Sequence, residues 1–335
     1  ALLARADIIT LHTPLTEQTR NILSAKALAK TKKGVIIVNC ARGGLIDEAA
    51  LKAGLDSGHI ASAALDVFAA EPATEHPLFG HDRVVATPHL GASTNEAQEN
   101  VAIQIAEQMA DYLMRGAVTN ALNMPSITAE EAPRLKPFIK LAENLGRFAG
   151  QLTETSVKAI EVVYAGGVAR LNTRPMTAAA VAGVLRPMLA EVNIVNAPLI
   201  AKERGIAIAE TYRDDAENFE SVIRLRIVTE RQDRTVSGAL FGLTPRIVEI
   251  KDVEMEASFA PHMLYVTNAD KPGFIGALGQ TLGAANVNIA TFNLGRSAPG
   301  ADAIALLAVD EPISDAVIEK VRALPNVKQA KPLNF

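Results

Sequence analysis

Three ionisable residues, Arg42, Glu71 and His89, have types and positions that could support acid–base chemistry on a small organic acid. Arginine presents a planar fork that can clamp a carboxylate through two hydrogen bonds. Imidazole titrates near neutral pH, and a neighbouring carboxylate would fix its tautomer and favour the imidazolium. An arginine that binds a 2-oxo acid and a histidine that protonates its carbonyl make a hydride-transfer site, for which a cofactor must supply the hydride.

Each of these residues follows a segment that is predicted to be a strand. Helix patterns at 24–30 and 47–57 separate four apolar segments, which are Ile8–Leu11, Val35–Val38, Ile60–Asp66 and Val84–Ala86. Apolar strands that alternate with helices are typical of a parallel sheet covered on both faces. Because ligands of such sheets bind beyond the carboxyl ends of the strands, Arg42, Glu71 and His89 are expected to converge there.

Taken singly, each residue also has an ordinary explanation. Arg42 could cap a helix or pair with a surface carboxylate, and His89 could be a packed loop residue. Glu71 and Pro72 could form a plain turn, and Asp66 could cap the end of its strand. The occurrence of three ionisable groups at successive strand ends is what favours a functional site.

The single cysteine and the remaining histidines point to no further chemistry. Cys40 lies close to Arg42 but has no evident histidine partner, so a buried spectator thiol is favoured over a nucleophile. No metal site is predicted, because the other histidines have no ligand spacing. They are His12, His59, His76, His81 and His262.

Composition bounds the class of protein. The chain has 335 residues, 49% of them hydrophobic and 21% charged, which is typical of a globular protein with two or three domains. The net charge of −4 gives no sign of nucleic-acid binding, and no apolar run approaches the ~20 residues of a membrane span. One cysteine suits a reducing cytoplasm. The opening ALLARAD, without an initiator methionine, suggests an N-terminally truncated fragment.

The rest of the chain divides into three predicted regions. A long helix capped by Ser93 or Thr94 should run to Arg115, and a connector should occupy 120–137. The helix has one apolar stripe, predicted to be buried, made of Ala97, Val101, Ile105 and Met109. An α+β region follows to about residue 258, with helices at 139–150 and 177–192 and strands at 222–228 and 235–241. From residue 261 the order βαββαβ fits a ferredoxin-like sandwich.

Three blocks in the first region resemble the D-isomer-specific 2-hydroxyacid dehydrogenases. They are VNCARGG (38–44), ALDVFAAEP (64–72) and TPHLGAST (87–94), with 29 residues from Arg42 to Glu71 and 18 from Glu71 to His89. The resemblance implies that Arg42 binds the substrate carboxylate and 2-oxygen, that His89 is the acid–base group and that Glu71 is its partner. It also implies an NAD cofactor whose nicotinamide half contacts Thr13, Cys40, Ala41, Arg42 and Asp66. The segment made of His89, Leu90, Gly91 and Ala92 would lie nearby and complete the cofactor site.

The sequence departs from this family in one respect. The glycine-rich phosphate loop G-x-G-x-x-G and the acidic residue that follows it are absent. If upstream sequence is missing, the helix after Ser93 would belong to a substrate domain, and the site in this chain would be incomplete.

The C-terminal region resembles an ACT domain, a module that binds amino acids. NADKPG (268–273) matches the ligand loop and NVNI (286–289) the second strand. The resemblance implies that L-serine contacts Asn268, Asp270 and Asn288 across a two-fold interface of a homo-oligomer, expected to be a tetramer. Judged from the residues alone, Asn268 and Asp270 could instead shape a turn and cap the next helix.

The sequence therefore predicts an α/β protein with a partial Rossmann-like parallel sheet, an α+β intervening domain and a ferredoxin-like ACT domain. The expected bounds are 1–92, 93–125, 126–260 and 261–335. Long members of this family oxidise 3-phospho-D-glycerate to 3-phosphohydroxypyruvate in the first step of L-serine biosynthesis, with serine feedback. A hydroxypyruvate or glyoxylate reductase and a non-catalytic regulatory fragment remain alternatives.

Overall fold

A computed structural model describes all 335 residues. The chain forms two compact units, residues 1–107 and 108–335. The first unit contains a four-stranded parallel sheet in the order β1 (Ile8–Leu11), β2 (Val35–Asn39), β3 (Ile60–Leu65) and β4 (Val84–Ala86). The predicted parallel sheet is thus confirmed, and the carboxyl ends of its four strands lie at one edge.

Two helices connect these strands and cover the core of the first unit. Helix α1 (Ala25–Leu28) is capped by Ser24, and helix α2 (Glu48–Asp56) by the side chain of Asp47, which accepts the Ala50 N–H at 3.0 Å. Apolar residues of the central strands and of α2 are fully buried together. They include Val35, Ile37, Leu51, Leu55 and Ile60.

Helix α3 (Asn95–Arg115) forms as predicted, but its apolar stripe is not buried. Thr94 accepts the Ala97 N–H at 3.1 Å, which confirms a cap at this position. Val101, Ile105 and Met109 are 51%, 50% and 59% exposed, and no residue of the helix is buried. The four-residue period identifies residues that share a face. It carries no information on whether another element packs against that face.

The second unit begins with an α+β region built on a six-stranded sheet. Its helices are α4 (Ala132–Leu152), α5 (Arg174–Leu185) and α6 (Ala197–Glu203). Its strands are β5 (Val157–Gly166), β6 (Ala207–Arg213), β7 (Ser221–Thr229), β8 (Asp233–Phe241), β9 (Thr244–Ile250) and β10 (Val253–Ser258). The sheet order is β10-β9-β8-β7-β5-β6, with only β5 and β6 parallel.

Two predictions for this region were wrong in extent. The helix predicted at 177–192 is α5, which begins at Arg174 and already ends at Leu185. Helix α4 begins at Ala132, inside the predicted connector, because Pro133 lies in the first turn where no backbone N–H is needed, and the helix also accommodates Pro137. Strands β5, β6, β9 and β10 and helix α6 were not predicted. Helices α4 and α5 can approach closely because Gly146 has no side chain. A Cβ atom at this position would lie only 2.2 Å from the Ala180 carbonyl oxygen.

The C-terminal region is the predicted βαββαβ sandwich. It comprises β11 (His262–Ala269), α7 (Phe274–Ala284), β12 (Ile289–Arg296), β13 (Asp302–Val309), α8 (Asp315–Arg322) and β14 (Val327–Asn334). The antiparallel sheet has the order β12-β13-β11-β14. One face packs under α7 and α8 through Leu264 and Val266. The other joins the core of the α+β region, where Tyr265 meets Phe148 edge to face at a ring distance of 5.9 Å.

Arg234 on β8 is a buried cation without a partner. It is 4% exposed, and neither terminal guanidinium nitrogen makes a hydrogen bond. Burial lowers the pKa of Arg234, and burial raises the pKa of the neighbouring Tyr265 to about 12. An unpaired charge in the interior costs free energy that apolar packing would not.

Replacing Arg234 with methionine is therefore expected to stabilise the chain by about 1 kcal/mol or more, because a buried charge is removed and most of the side-chain volume is kept. Urea unfolding would measure the change. The matched control is Arg226→Met, because Arg226 is half-exposed and pairs with Glu161 and Asp233 at 3.0 and 2.5 Å. Greater destabilisation by Arg234→Met than by the control would contradict the expectation.

Candidate active site

The residues predicted to carry chemistry lie in the loops at the carboxyl edge of the parallel sheet. Thr13 follows β1, Arg42 follows β2, Glu71 follows β3 and His89 follows β4. The loop after β1 contacts the loop after β2 through the Asn21 N–H, which donates to the Gly44 carbonyl oxygen at 2.8 Å. The loops after β2, β3 and β4 contact one another through the interactions described below. The sequence-based expectation of convergence at this edge is met for the loops after β2, β3 and β4.

Glu71 and His89 form a hydrogen-bonded pair. The Glu71 Oε2 atom lies 2.7 Å from His89 Nδ1, and its Oε1 atom accepts the Phe68 N–H at 2.9 Å. The Phe68 N–H, and next the contact with His89, lower the pKa of Glu71, so the carboxylate is ionised at neutral pH. The hydrogen bond to Glu71 anchors the imidazole at Nδ1. The Glu71 and His89 side chains are 34% and 48% exposed, so a ligand can still reach the ring.

Asp66 holds the backbone around His89. Its buried carboxylate accepts the Leu90 N–H at 2.7 Å, the Gly91 N–H at 3.1 Å and the Thr87 hydroxyl at 2.5 Å. Burial alone would raise the pKa of Asp66, but these hydrogen bonds outweigh it and the pKa is lowered. His89 has φ +59°, a conformation that costs a non-glycine residue free energy and persists only where surrounding contacts impose it.

The loop that carries Arg42 is shaped by Asn39, which was not predicted as a site residue. The buried Asn39 side chain accepts the Ala41 N–H at 3.1 Å and donates to the Arg42 carbonyl oxygen at 2.9 Å. An asparagine at a strand end, followed by a turn, is the signal that could have identified it. Arg42 is exposed, forms no ion pair and donates to the Ala41 carbonyl oxygen at 2.6 Å. Its guanidinium is therefore available to an anionic ligand.

Gly43 allows the Arg42 loop to touch the loop after β3. A Cβ at this position would lie 1.7 Å from the Phe68 carbonyl oxygen, a distance that no real structure tolerates. The same Phe68 residue donates its N–H to Glu71. The position of Arg42 is thus coupled through backbone contact to that of the Glu71–His89 pair.

A Gly43→Ala variant is expected to lose about 2 kcal/mol of folding stability or more, because the two loops must separate to admit the methyl group. Thermal unfolding of the 335-residue chain would measure the loss. Gly279→Ala is a useful comparison, because Gly279, like Gly43, has no positive φ but has open space around its Cβ position. Equal loss in both variants would show that loop contact at Gly43 contributes nothing.

A cleft of about 780 Å³ opens beside the Glu71–His89 pair. Its apolar wall includes Phe68, Phe79 and Pro88. Arg42, Thr13 and Cys40 do not line it. Within this unit the cleft therefore brings the Glu71–His89 pair together with an apolar surface, while Arg42 lies in the loop that contacts Phe68 through Gly43.

The remaining predicted cofactor contacts are surface residues at the same edge. Thr13 and the segment from Leu90 to Ala92 are exposed, and Ala41 is half-buried. Cys40 is exposed, so the prediction of a buried thiol was wrong. The burial of β2 ends at Asn39, and Cys40 already belongs to the loop.

The three predicted serine contacts lie at two different ends of the ACT sheet. Asn268 is buried at the end of β11, and its side-chain oxygen has no hydrogen-bond partner. Asp270 accepts from Arg296 at 2.7 Å and from the Gly300 N–H at 3.0 Å, and these contacts lower its pKa, the Gly300 N–H first. Asn288 instead donates to Asp310, which follows β13 next to the start of β11. At ~3.4 Å per residue, Asn288 is roughly 20 Å from Asn268 along the strand.

Comparison with known proteins gives matches along most of the chain. Residues 1–91 match the NAD binding domain of D-isomer specific 2-hydroxyacid dehydrogenases, residues 134–251 the D-3-phosphoglycerate dehydrogenase intervening domain, and residues 262–326 the ACT domain. D-3-phosphoglycerate dehydrogenase of Bacillus subtilis is 40% identical over 98% of this chain and 63% of its own length. The enzyme of the same name from Methanocaldococcus jannaschii is 41% identical over 100% of this chain and 64% of its own length.

The chain combines the NAD binding domain of D-isomer specific 2-hydroxyacid dehydrogenases with the D-3-phosphoglycerate dehydrogenase intervening domain and an ACT domain, and along almost its whole length it is similar to D-3-phosphoglycerate dehydrogenases. It spans a little under two thirds of the length of these dehydrogenase relatives. Among solved structures, a glyoxylate reductase from Paecilomyes thermophila is 41% identical over 35% of this chain and 36% of its own, with a TM-score of 0.33. The three domain matches and the identity to the curated enzymes confirm the resemblance seen in the sequence, and the matched domains confirm the predicted fold class.

The chain shows neither a membrane-spanning helix nor a cluster of metal ligands. None of its helices combines the length and apolarity needed to span a bilayer. No three histidine, cysteine, aspartate or glutamate side chains converge as metal ligands would.

Proposed function

We propose that these residues serve the NAD-dependent oxidation of 3-phospho-D-glycerate to 3-phosphohydroxypyruvate, the first step of L-serine biosynthesis, in the cytoplasm. The observation that carries the proposal is the 2.7 Å contact between Glu71 and His89 in a chain with the domain composition of D-3-phosphoglycerate dehydrogenases. We retain the division at residues 92, 125 and 260 as the proposed domain boundaries.

Each of the three residues has a proposed role that its contacts support. The His89 Nδ1–H group donates a hydrogen bond to Glu71, a tautomer that is inferred from their contact. The unprotonated Nε2 atom can then take the hydroxyl proton of the substrate. The ionised Glu71 stabilises the imidazolium that forms. Arg42 binds the substrate carboxylate in its planar fork and places the hydroxyl-bearing carbon near His89.

The carboxyl edge of the sheet also fits a nicotinamide cofactor. NAD, when bound, supplies the hydride acceptor. The Thr13 hydroxyl, the Cys40–Arg42 loop and the exposed segment Leu90–Ala92 lie at the edge where such sheets bind dinucleotides. The Asp66 carboxylate already accepts three hydrogen bonds, so its contribution to cofactor binding is mainly to hold the loop at Leu90 and Gly91.

L-serine is proposed as an effector bound between two ACT domains of a homo-oligomer, expected to be a tetramer. Support comes from the placement of Asn268 and Asp270 at one end of the sheet and of Asn288 at the other. One serine could touch all three only if Asn288 came from a second copy. Two equivalent sites would then form at each two-fold interface.

The primary experiment is NADH oxidation by the full-length gene product with 3-phosphohydroxypyruvate, hydroxypyruvate and glyoxylate, each with and without L-serine. Preference for the phosphorylated substrate and inhibition by serine are expected. Preference for the unphosphorylated acids would favour the alternative reductase. No turnover with any of the three would leave the non-catalytic alternative.

Subunit complementation tests the two-copy serine site. Asp270→Ala and Asn288→Ala are each expected to weaken serine inhibition about tenfold or more, because each removes a charged or amide contact. Oligomers refolded from a mixture of the two variants should recover part of the inhibition, since one site per mixed interface keeps both residues. Lys320→Ala, an exposed change on α8, is the control. Failure of the mixture to recover would count against the two-copy geometry.

A further inference from the structure

A second glutamate–histidine pair lies directly behind the first. Glu48, the first residue of α2, accepts the Ala69 N–H through Oε1 at 2.8 Å, and its Oε2 lies 3.0 Å from His76 Nε2. Both side chains are largely shielded, with His76 13% and Glu48 24% exposed. The contacts join the helix that follows the Arg42 loop to the segment that carries Glu71.

The tautomer of His76 is set by its surroundings. Its Nδ1 atom accepts the Leu78 N–H at 3.3 Å, so the proton of a neutral ring resides on Nε2 and is donated to Glu48. The ring packs against Phe68 and Phe79 at centroid distances of 5.0 and 5.4 Å. Packing on two aromatic rings and hydrogen bonds at both nitrogens leave His76 one orientation.

The two pairs share one stretch of backbone. The Phe68 N–H goes to Glu71, which pairs with His89, and the next N–H, of Ala69, goes to Glu48, which pairs with His76. Any shift of the Phe68–Ala69 peptide therefore moves Glu71. Since Gly43 also contacts the Phe68 carbonyl group, the same stretch sets the distance to the Arg42 loop.

We propose that Glu48 and His76 are positioning residues that fix the Glu71–His89 pair relative to Arg42. They do not touch the substrate and act only through the Phe68–Ala69 backbone. The inference rests on the proposed dehydrogenase function. A misplacement of about 1 Å at reacting groups can cost up to ~10²-fold in rate, so a clamp at this point has a measurable effect on turnover.

Glu48→Gln tests the clamp in the full-length gene product. The Glu48 carboxylate accepts from both the Ala69 N–H and the His76 Nε2–H. A glutamine has only one side-chain oxygen, so its NH2 group must face one of these two N–H groups whichever way the amide is oriented. The expected result is a kcat about tenfold lower with KM changed less than about threefold. Deuterium exchange at the Phe68 and Ala69 amides of the 335-residue chain should also become about fivefold faster or more.

The double variant Glu48→Gln/His76→Gln separates positioning from general damage. The carbonyl oxygen of the glutamine introduced at position 76 can accept from the amide introduced at position 48, so the double variant should regain at least about half of the lost kcat, in free-energy terms. Lys52→Met, which removes only the exposed ion pair with Asp56 on the same helix at 2.8 Å, should match the wild type. The inference would be overturned if Glu48→Gln kept the wild-type kcat, with or without faster deuterium exchange at the Phe68 and Ala69 amides. It would also be overturned if the double variant recovered none of the lost kcat. An inactive wild type would instead refute the proposed function itself.

Discussion

Replacing His89 with asparagine in the full-length gene product is expected to lower kcat about 10²-fold or more and to leave NADH affinity within about threefold. Asparagine has no group that titrates near neutral pH, so it cannot take the hydroxyl proton of the substrate. It also tolerates the left-handed backbone conformation of residue 89, φ +59°, better than most residues do. The loop held by Asp66 should therefore survive the change.

Steady-state turnover and NADH fluorescence titration measure the two effects separately. Glu71→Gln is the graded comparison, because a glutamine can still accept the Phe68 N–H but no longer stabilises an imidazolium. Its kcat should fall less than that of His89→Asn, by about tenfold. Turnover of His89→Asn within about threefold of the wild type would remove His89 from the proton-transfer role.

The residues with proposed chemical roles were easier to predict than those that hold them in place. Short, mostly apolar runs placed β1 at 8–11 and β4 at 84–86, and the ionisable groups that follow such runs then mark the edge of the sheet. Glu48 and His76 gave no such signal, because the contact between them spans 28 residues and depends on how two loops fold. Long-range hydrogen bonds leave no spacing pattern in the sequence.

Packing and boundary predictions were wrong for a different reason. A period of four residues in α3 identifies Val101 and Ile105 as neighbours, but their exposure depends on what lies beside the helix. Proline-rich sequence suggested a connector where α4 begins, because Pro133 is compatible both with a loop and with the first turn of a helix. In both cases the local pattern was consistent with two structures, and tertiary contacts determined which one forms.

Arg42→Lys in the full-length gene product is expected to reduce kcat/KM for the 2-oxo acid about 10²-fold, chiefly through a higher KM, because a point charge cannot reproduce two parallel hydrogen bonds to a carboxylate. The exposed guanidinium now contacts only the Ala41 carbonyl oxygen, so the variant breaks no ion pair and should unfold at the wild-type temperature. Arg83→Lys is the matched control, since Arg83 precedes β4 at the opposite edge of the sheet and donates to the Leu55 carbonyl oxygen at 3.3 Å. Equal kinetics in both variants would place the carboxylate elsewhere, and the coupling of the Arg42 loop to Glu71 through Gly43 would then serve folding alone.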